Sequence, residues 1–374
     1  FCVRKCSYCD FLSAPATEQT REAYMAALFA EIGGRAKDYS DRTVTSIFIG
    51  GGTPSLLSGE QIGQLMDRIR EQFAMAQDAE ITMEVNPGTA SAEKLRNFYT
   101  AGINRLSIGM QSAQAEELKN LGRIHDFEGF CQVYREAVEA GFTNINVDIM
   151  SGLPGQTLAS YRDTLEKVLH LEPMPQHISA YSLIVEEGTP FAAMAERGEL
   201  PLPEEETERA MYEETIEVLA KYGFHRYEIS NYARDGYECR HNVGYWIRRD
   251  YLGFGIGAAS LIDNVRFQNE KSLGAYLAHP LESREEEQTL TVQDRMEETM
   301  FLGLRLTRGV SCVDFAEQYG RTVEEVYGEV IARNVADGLL TVTERKENQK
   351  KDRFLALTKR GLDLSNYVMA QFLF

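Results

Sequence analysis

Phe127-Glu-Gly-Phe-Cys-Gln-Val-Tyr-Arg-Glu-Ala-Val-Glu-Ala-Gly141 runs directly into Phe142-Thr-Asn-Ile-Asn-Val-Asp148. The stretch reads as an amphipathic helix, a glycine suited to the left-handed C′ position, and an apolar-rich strand. Two other stretches repeat it: Leu95–Gly102 leads into Ile103-Asn-Arg-Leu-Ser-Ile-Gly109, and Met211–Gly223 into Phe224-His-Arg-Tyr-Glu-Ile-Ser230. The three glycines stand 39 and then 82 residues apart, which is one unit and then two.

Further units fit between them. Thr45–Ile49 is a β-branched strand, and Ile62, Leu65, Met66, Ile69 and Phe73 mark the next helix by their spacing. Ile81–Val85 and Ile178–Leu183 are further strands. Alternating strands and helices imply parallel strands with right-handed crossovers. Six or seven such units over residues 1–278 predict an α/β fold, a full or partial (βα) TIM-like barrel. Residues 279–291, with Pro280 and Glu285-Glu286-Glu287, read as a linker. Residues 292–374 read as three helices, a hairpin (Leu339–Arg345 and Arg353–Leu357 around a charged 346–352) and a last helix over Gly361–Phe374. That order is expected of a winged-helix-like α+β domain.

Composition narrows the function. A chain of 374 residues with 43% hydrophobic residues builds a sizeable core. A net charge of −18 argues against nucleic acid as a main partner, because phosphate binding needs a basic surface. No apolar run is long enough for an intrinsic membrane anchor. The chain opens on Phe1 without an initiator Met, so a strand leading into the first loop is expected upstream.

Six cysteines in a chain this long, three of them within eight residues, are no disulfide framework. Cys2, Cys6 and Cys9 stand as C-x3-C-x2-C, and the next thiol is Cys131. As metal ligands kept reduced they imply a cytoplasmic protein. Structural zinc and electron-transfer iron–sulfur sites want four protein ligands. Three thiolates would leave one iron of a four-iron cluster open; the alternatives are zinc completed by a distant His or Cys, or three unrelated cysteines.

Polar residues recur where the strands end. Ile47-Phe-Ile runs into Gly50-Gly51-Gly52-Thr53-Pro54, Ile81-Thr-Met into Glu84, Leu106–Gly109 into Met110 and Gln111 with Arg123 beyond, and Ile145-Asn-Val into Asp148. In a parallel barrel these positions share one mouth. A glycine run lets backbone approach a ligand, or makes a tight turn. Glu84 and Asp148 can accept ribose hydroxyls or an ammonium group, or cap the next helix.

Taken together, these motifs resemble the radical S-adenosylmethionine (SAM) family, and within it the coproporphyrinogen III oxidase-like branch, which contains oxidases and heme chaperones. The resemblance covers nearly the whole chain. It rests on Cys2-Val-Arg-Lys-Cys6-Ser-Tyr-Cys9-Asp-Phe, Gly50-Gly-Gly-Thr-Pro-Ser, Glu84-Val-Asn-Pro, Ser107-Ile-Gly-Met-Gln-Ser and Asp148-Ile-Met-Ser-Gly-Leu-Pro-Gly, in the family's order. It implies a 4Fe–4S cluster on Cys2, Cys6 and Cys9, with SAM on the fourth iron. An electron from the cluster, given by a donor such as a flavodoxin or ferredoxin, would split SAM into methionine and a 5′-deoxyadenosyl radical. By the same resemblance Tyr8, Gly51 and Glu84 contact this SAM. Gly52, Thr53, Gln111, Arg123 and Asp148 line a neighbouring position that holds a second SAM in oxidase-like members, and Ser182 and Ala259 are weaker carry-overs.

Two features choose between the groups of the branch. The oxidases carry a cysteine two positions after the third, where this chain has Phe11. His241-Asn-Val-Gly-Tyr-Trp246 matches the H-N-x-x-Y-W signature of the chaperones and holds the sole Trp. An exposed histidine beside aromatic residues is a reasonable axial heme ligand, with Cys239 as a second candidate; the plainer reading is a hydrogen-bonded histidine in a buried loop. The expected function is heme chaperoning, with heme as cargo and an apoprotein as recipient. Oxidative decarboxylation of coproporphyrinogen III, or another radical reaction such as methyl transfer, is the alternative, and whether SAM is turned over stays open.

Overall fold

The computed structural model describes residues 1–282, 284–347 and 350–373. Residues 1–17 form a loop without helix or strand. Then come α1 (Glu18–Arg35), β1 (Thr43–Ile49), α2 (Gly59–Gln72), β2 (Ala74–Val85), α3 (Ala92–Thr100), β3 (Arg105–Gln111), α4 (Ala115–Leu121), α5 (Phe127–Glu139), β4 (Ile145–Ser151), α6 (Leu158–Leu169) and β5 (His177–Ser182). After them follow α7 (Pro190–Glu196), α8 (Glu205–Lys221), β6 (His225–Arg226) and β7 (Asn231–Ala233). Strands β1 to β5 pair in sequence order and in parallel. The seven-stranded sheet has the order β1-β2-β3-β4-β5-β7-β6 and ends on β1 and β6. It is a curled half-barrel, the partial form of the expected architecture.

Local chemistry explains these units. Ser58 and Gln61 close a capping box at the start of α2, whose face of Ile62, Leu65, Met66 and Ile69 is buried against the sheet. Burying each such side chain stabilises by roughly 1.5–3 kcal/mol. Gly102 and Gly141 end their helices at φ of 94° and 109°, where a side chain would be strained. Strands β3, β4 and β5 are two-faced. Leu106, Ile108, Ile145, Val147, Ile149 and Ile178 enter the core under the helices. The alternate positions Arg105, Ser107, Asn146, Asp148, His177, Ser179 and Tyr181 line the concave side.

Beyond Ala233 lie α9 (Arg240–Trp246), an antiparallel sheet of β8 (Ala259–Ile262), β9 (Val265–Asn269) and β10 (Arg284–Thr289), and α10 (Leu273–Ala278). A buried carboxylate fixes this part to α1. Glu31 accepts from the Gly255 N–H (2.8 Å), Tyr276 Oη (2.7 Å) and Asn269 Nδ2 (2.7 Å), and pairs with Arg35 at 3.0 Å. A second core, including Met300, Phe315, Tyr327, Leu355 and Phe372, holds α11 (Val292–Gly303), β11 (Val310–Ser311), α12 (Cys312–Tyr319), α13 (Val323–Ala336), the hairpin β12 (Leu340–Glu347) and β13 (Lys350–Leu357), α14 (Lys359–Asp363) and α15 (Ser365–Ala370). Strand β11 pairs with the hairpin, giving helices followed by a hairpin as in winged-helix folds.

Three expectations need correction. Phe224–Ser230 is not another parallel strand. Glu228, buried, accepts from the Ser230 N–H and from Asn231 Nδ2, turning the chain back so that β7 runs antiparallel to both β5 and β6. The expected linker contains β10, whose backbone pairs with β9 while Arg284 lies 4.2 Å over the Phe267 ring. The single last helix is two, α14 and α15. Ser283 in the expected linker, Asn348 and Gln349 in the hairpin tip, and Phe374 lie outside the described residues.

Candidate cofactor site at the mouth of the sheet

The cysteine loop lies across the carboxyl ends of the parallel strands, held from three sides by its own backbone. Cys2 N–H donates to Ala14 O, Ser7 N–H to Leu121 O, and Ser7 O accepts from Phe191 N–H of α7. Phe1 O accepts from Thr53 N–H at 2.7 Å, which joins the loop to the glycine run. The run is glycine for steric reasons. A Cβ on Gly52 would lie 2.8 Å from the backbone nitrogen of Phe1, and Gly51 has a φ of 85° with open space around it.

The three thiols are free and half-buried. Thr53 Oγ1 donates to Cys2 Sγ at 3.3 Å, and Arg123 Nη1 lies 3.7 Å from Cys6 Sγ. Both contacts leave the sulfurs anchored within the loop, and thiolate is the form in which cysteine binds metal. Among the described residues no three His, Cys, Asp or Glu side chains gather closely enough to hold one metal ion. A four-iron cluster puts each thiolate on a different iron and needs the sulfurs apart, so the loop fits that group.

Below the loop the lining is polar and buried. Gly51 N–H donates to Glu84 Oε2 at 3.2 Å. Burial, helped by the neighbouring Asp148, pushes the Glu84 carboxyl up to about 8. Asp148 accepts from Asn146 Nδ2 at 2.7 Å and from Ser107 Oγ at 3.2 Å, and burial raises its pKa against these bonds. Two carboxyls side by side can accept hydroxyl or ammonium donors from a ligand. Arg123 Nη2 donates to Gly109 O at 2.7 Å, yet its Nε is buried without a partner. Gln111 sits at a register shift of β3 with a φ of 70°, and Tyr181 Oη donates to its side-chain oxygen at 2.9 Å. A strained non-glycine residue at a strand end is a common mark of a functional site.

The structure thus brings Cys2, Cys6, Cys9, Tyr8, Gly51, Gly52, Thr53, Glu84, Gln111, Arg123 and Asp148 to one mouth. Tyr8, half-buried, stands among Arg123, Cys6, Cys9 and Asp148, and desolvation raises its pKa. Ser182 is exposed at the end of β5 and bonds Ser151, and Ala259 opens β8 in the separate small sheet. Tyr181, Ser107 and Asn146 join the site without having been expected. Their signal was the alternation of polar and apolar residues along Arg105–Gly109, Ile145–Asp148 and His177–Tyr181.

His241 lies elsewhere and is half-buried rather than exposed. Its Nδ1 is 3.0 Å from Ser46 Oγ, its Nε2 is 3.1 Å from Tyr245 Oη, and its ring stacks on Phe48. Burial lowers its pKa to about 4. Both ring nitrogens are engaged, so coordinating iron would cost one of these bonds. Cys239 is wholly buried, and its Sγ donates to Glu80 at 3.5 Å.

The model of the radical SAM superfamily matches residues 1–168, and that of the HemN C-terminal domain matches residues 290–364. Heme chaperone HemW of Bacillus subtilis is 38% identical, with 100% of this chain and 97% of the relative covered. HemW of Lactococcus lactis is 36% identical over 100% and 95%. The structure of coproporphyrinogen III oxidase HemN from Escherichia coli superposes with a TM-score of 0.84 at 27% identity, covering 99% of this chain and 87% of that one. With relatives matched from end to end, a radical SAM domain and a HemN-type C-terminal domain, the chain belongs to the HemW family of the radical SAM superfamily.

Proposed function

We propose that the protein binds heme and passes it to a recipient apoprotein, and that it does not oxidise coproporphyrinogen. The observation that carries this reading is the likeness over almost full length to heme chaperones at 36–38% identity, against 27% to the oxidase. Phe11, 53% exposed on the cluster loop, stands where the oxidases have a further cysteine.

Cys2, Cys6 and Cys9 would each hold one iron of a 4Fe–4S cluster, leaving the fourth for SAM. When bound, the cluster supplies a reducing electron and SAM a sulfonium that this electron can cleave. The chain's own residues do the holding. Thr53 and Arg123 hold two of the cysteine sulfurs, Gly51 offers a close backbone approach, and Tyr8, between Cys6 and Cys9, packs the loop onto Leu121, Met150, Leu153 and Phe191. Glu84 would accept ribose hydroxyls. Gly52, Thr53, Gln111, Arg123 and Asp148 would line the neighbouring position for a second SAM, with Ser182 and Ala259 as weaker candidates. Reduced thiols call for the cytoplasm, and the cluster for a one-electron donor of the flavodoxin or ferredoxin kind. No described helix is long and apolar enough to cross a membrane.

The test is anaerobic incubation of reconstituted protein with SAM, reductant and coproporphyrinogen III, beside transfer of hemin to an apo-cytochrome. Unchanged porphyrin with hemin transfer is expected. Protoporphyrinogen formed over many turnovers would make the protein an oxidase.

A further inference from the structure

A chain of side-chain hydrogen bonds crosses the concave side of the sheet from the mouth to α9. Asn146 Nδ2 donates to Asp148 at 2.7 Å. His177 Nδ1 lies 2.6 Å from Asn146 Oδ1, and His177 Nε2 lies 2.9 Å from Tyr227 Oη. The Cys239 N–H, at the N-cap of α9, donates to Tyr227 Oη at 3.3 Å. Asn146, His177, Tyr227 and Cys239 are all buried, so water does not compete for these groups. The direction of each proton follows from the carboxylate end. Asp148 as a carboxylate only accepts, so the Asn146 amide turns its NH2 to Asp148 and its oxygen to His177. That oxygen takes a donor, which puts the imidazole hydrogen on Nδ1. Burial and the nearby Arg105 guanidinium keep His177 neutral, so Nε2 is bare and accepts the Tyr227 hydroxyl hydrogen. Every donor thus points from α9 towards Asp148.

Bonds aligned in this way polarise one another, and negative charge at the accepting end strengthens each of them. The other end of the chain sets the pose of α9. In that pose the His241 ring is turned in to Ser46, Phe48 and Tyr245 with both nitrogens engaged. Ligating iron takes one nitrogen away from its partner, so heme on His241 favours an α9 that has moved off this pose. We propose that SAM at the mouth and heme on α9 oppose each other, with Asn146, His177 and Tyr227 as the positioning residues that link them. An ammonium group laid against Asp148 fixes the negative charge there and tightens the chain. The tightened chain holds Cys239, and with it α9, in the inward pose, and heme is held less well. By reciprocity, heme on α9 loosens the chain and weakens SAM. SAM then serves as the signal to give up the cargo, a use that needs no cleavage. The inference rests on the heme-chaperone reading above, with His241 as the ligand of the heme.

The test is hemin titration of the full reconstituted chain without oxygen and with the cluster unreduced, so that SAM stays whole. The difference Soret band is followed with and without saturating SAM. SAM should weaken hemin binding by roughly fivefold or more, and saturating hemin should weaken SAM by the same factor in calorimetry. Tyr227→Phe keeps the buried ring and removes both bonds of its hydroxyl. Hemin and SAM should each still bind to it, and the effect of one on the other should vanish. His177→Leu should do the same. Tyr161→Phe loses a buried hydroxyl bond of the same kind, 2.7 Å to Thr215, outside the chain, and should keep the parent's effect. Circular dichroism checks that each variant is folded. Equal or tighter hemin binding in the presence of SAM, in a parent that binds both, would overturn the inference and leave the heme-chaperone reading standing. An effect that survives in Tyr227→Phe and His177→Leu, or is lost in Tyr161→Phe as well, would overturn it too, as would a parent that binds hemin but no SAM. A parent that binds no hemin overturns the heme-chaperone reading and this inference with it.

Discussion

The Glu84 carboxyl gives a quantitative handle on cofactor binding. Its pKa of about 8 comes from burial and from Asp148, with one bond from Gly51 N–H opposing them. A raised pKa means the charge is suppressed below pH 8. A ligand that needs the carboxylate, through hydroxyl donors or a cation, must therefore bind more tightly as the pH rises. The ionised fraction grows roughly tenfold from pH 6 to 7, about fivefold from 7 to 8, and less than about twofold from 8 to 9. SAM has an α-amino group of its own, which titrates at roughly 7.7–8.0. Glu84→Gln separates the two, because it keeps the ligand's titration and removes the protein's. Calorimetric titration of reconstituted parent and Glu84→Gln with SAM should give an affinity ratio that climbs in these steps and levels off above pH 8. Parallel pH profiles for the two proteins would refute the argument, and a parent that binds no SAM would remove its premise.

Cys6→Ala should lose the cluster's absorbance and iron after anaerobic reconstitution while keeping its far-UV dichroism, because the loop lies outside both cores. A full cluster spectrum in the variant would count against the three-thiol site. Glu31→Ala removes the acceptor of Gly255, Tyr276 and Asn269 and takes from the buried Arg35 its carboxylate, leaving its bond to Asn269 Oδ1. A loss of roughly 3–5 kcal/mol is expected, seen in calorimetry as a fall in Tm of roughly 4–6 °C for a chain of 374 residues. A fall of one or two degrees would mean that the network relaxes or fills with water.

The parallel units were legible because helix, glycine and strand repeat with two different periods, 3.6 and 2. The site was legible at strand ends for the same reason, since a polar residue closing an apolar strand can only face the mouth. Tyr181 and Asn146 stand within strands rather than at their ends, so the strand-end rule does not pick them out. The turn at Glu228 was hidden by Phe224-His-Arg-Tyr-Glu-Ile-Ser, which has the composition of a strand. What bends it is a carboxylate bonding its own neighbours. Strand β10 left no signature, because Glu285, Glu286 and Glu287 are all exposed and no apolar alternation marks its pairing with β9. The surroundings of His241 depend on Ser46 and Phe48, almost two hundred residues earlier, and no local pattern reports them.

Strand β2 carries two inward carboxylates, Glu84 beneath the glycine run and Glu80, which accepts the backbone N–H groups of Arg240 and His241 at the start of α9. Four residues of strand at roughly 3.3 Å each set them roughly 13 Å apart. The strand works as a ruler whose unit is the residue. An insertion or deletion of one residue between them would turn one carboxylate toward the helices, severing either the glycine run or the H-N-x-x-Y-W helix from its anchor. Substitutions between the marks leave this spacing alone, so the distance from cofactor mouth to signature helix is a fixed length of the fold.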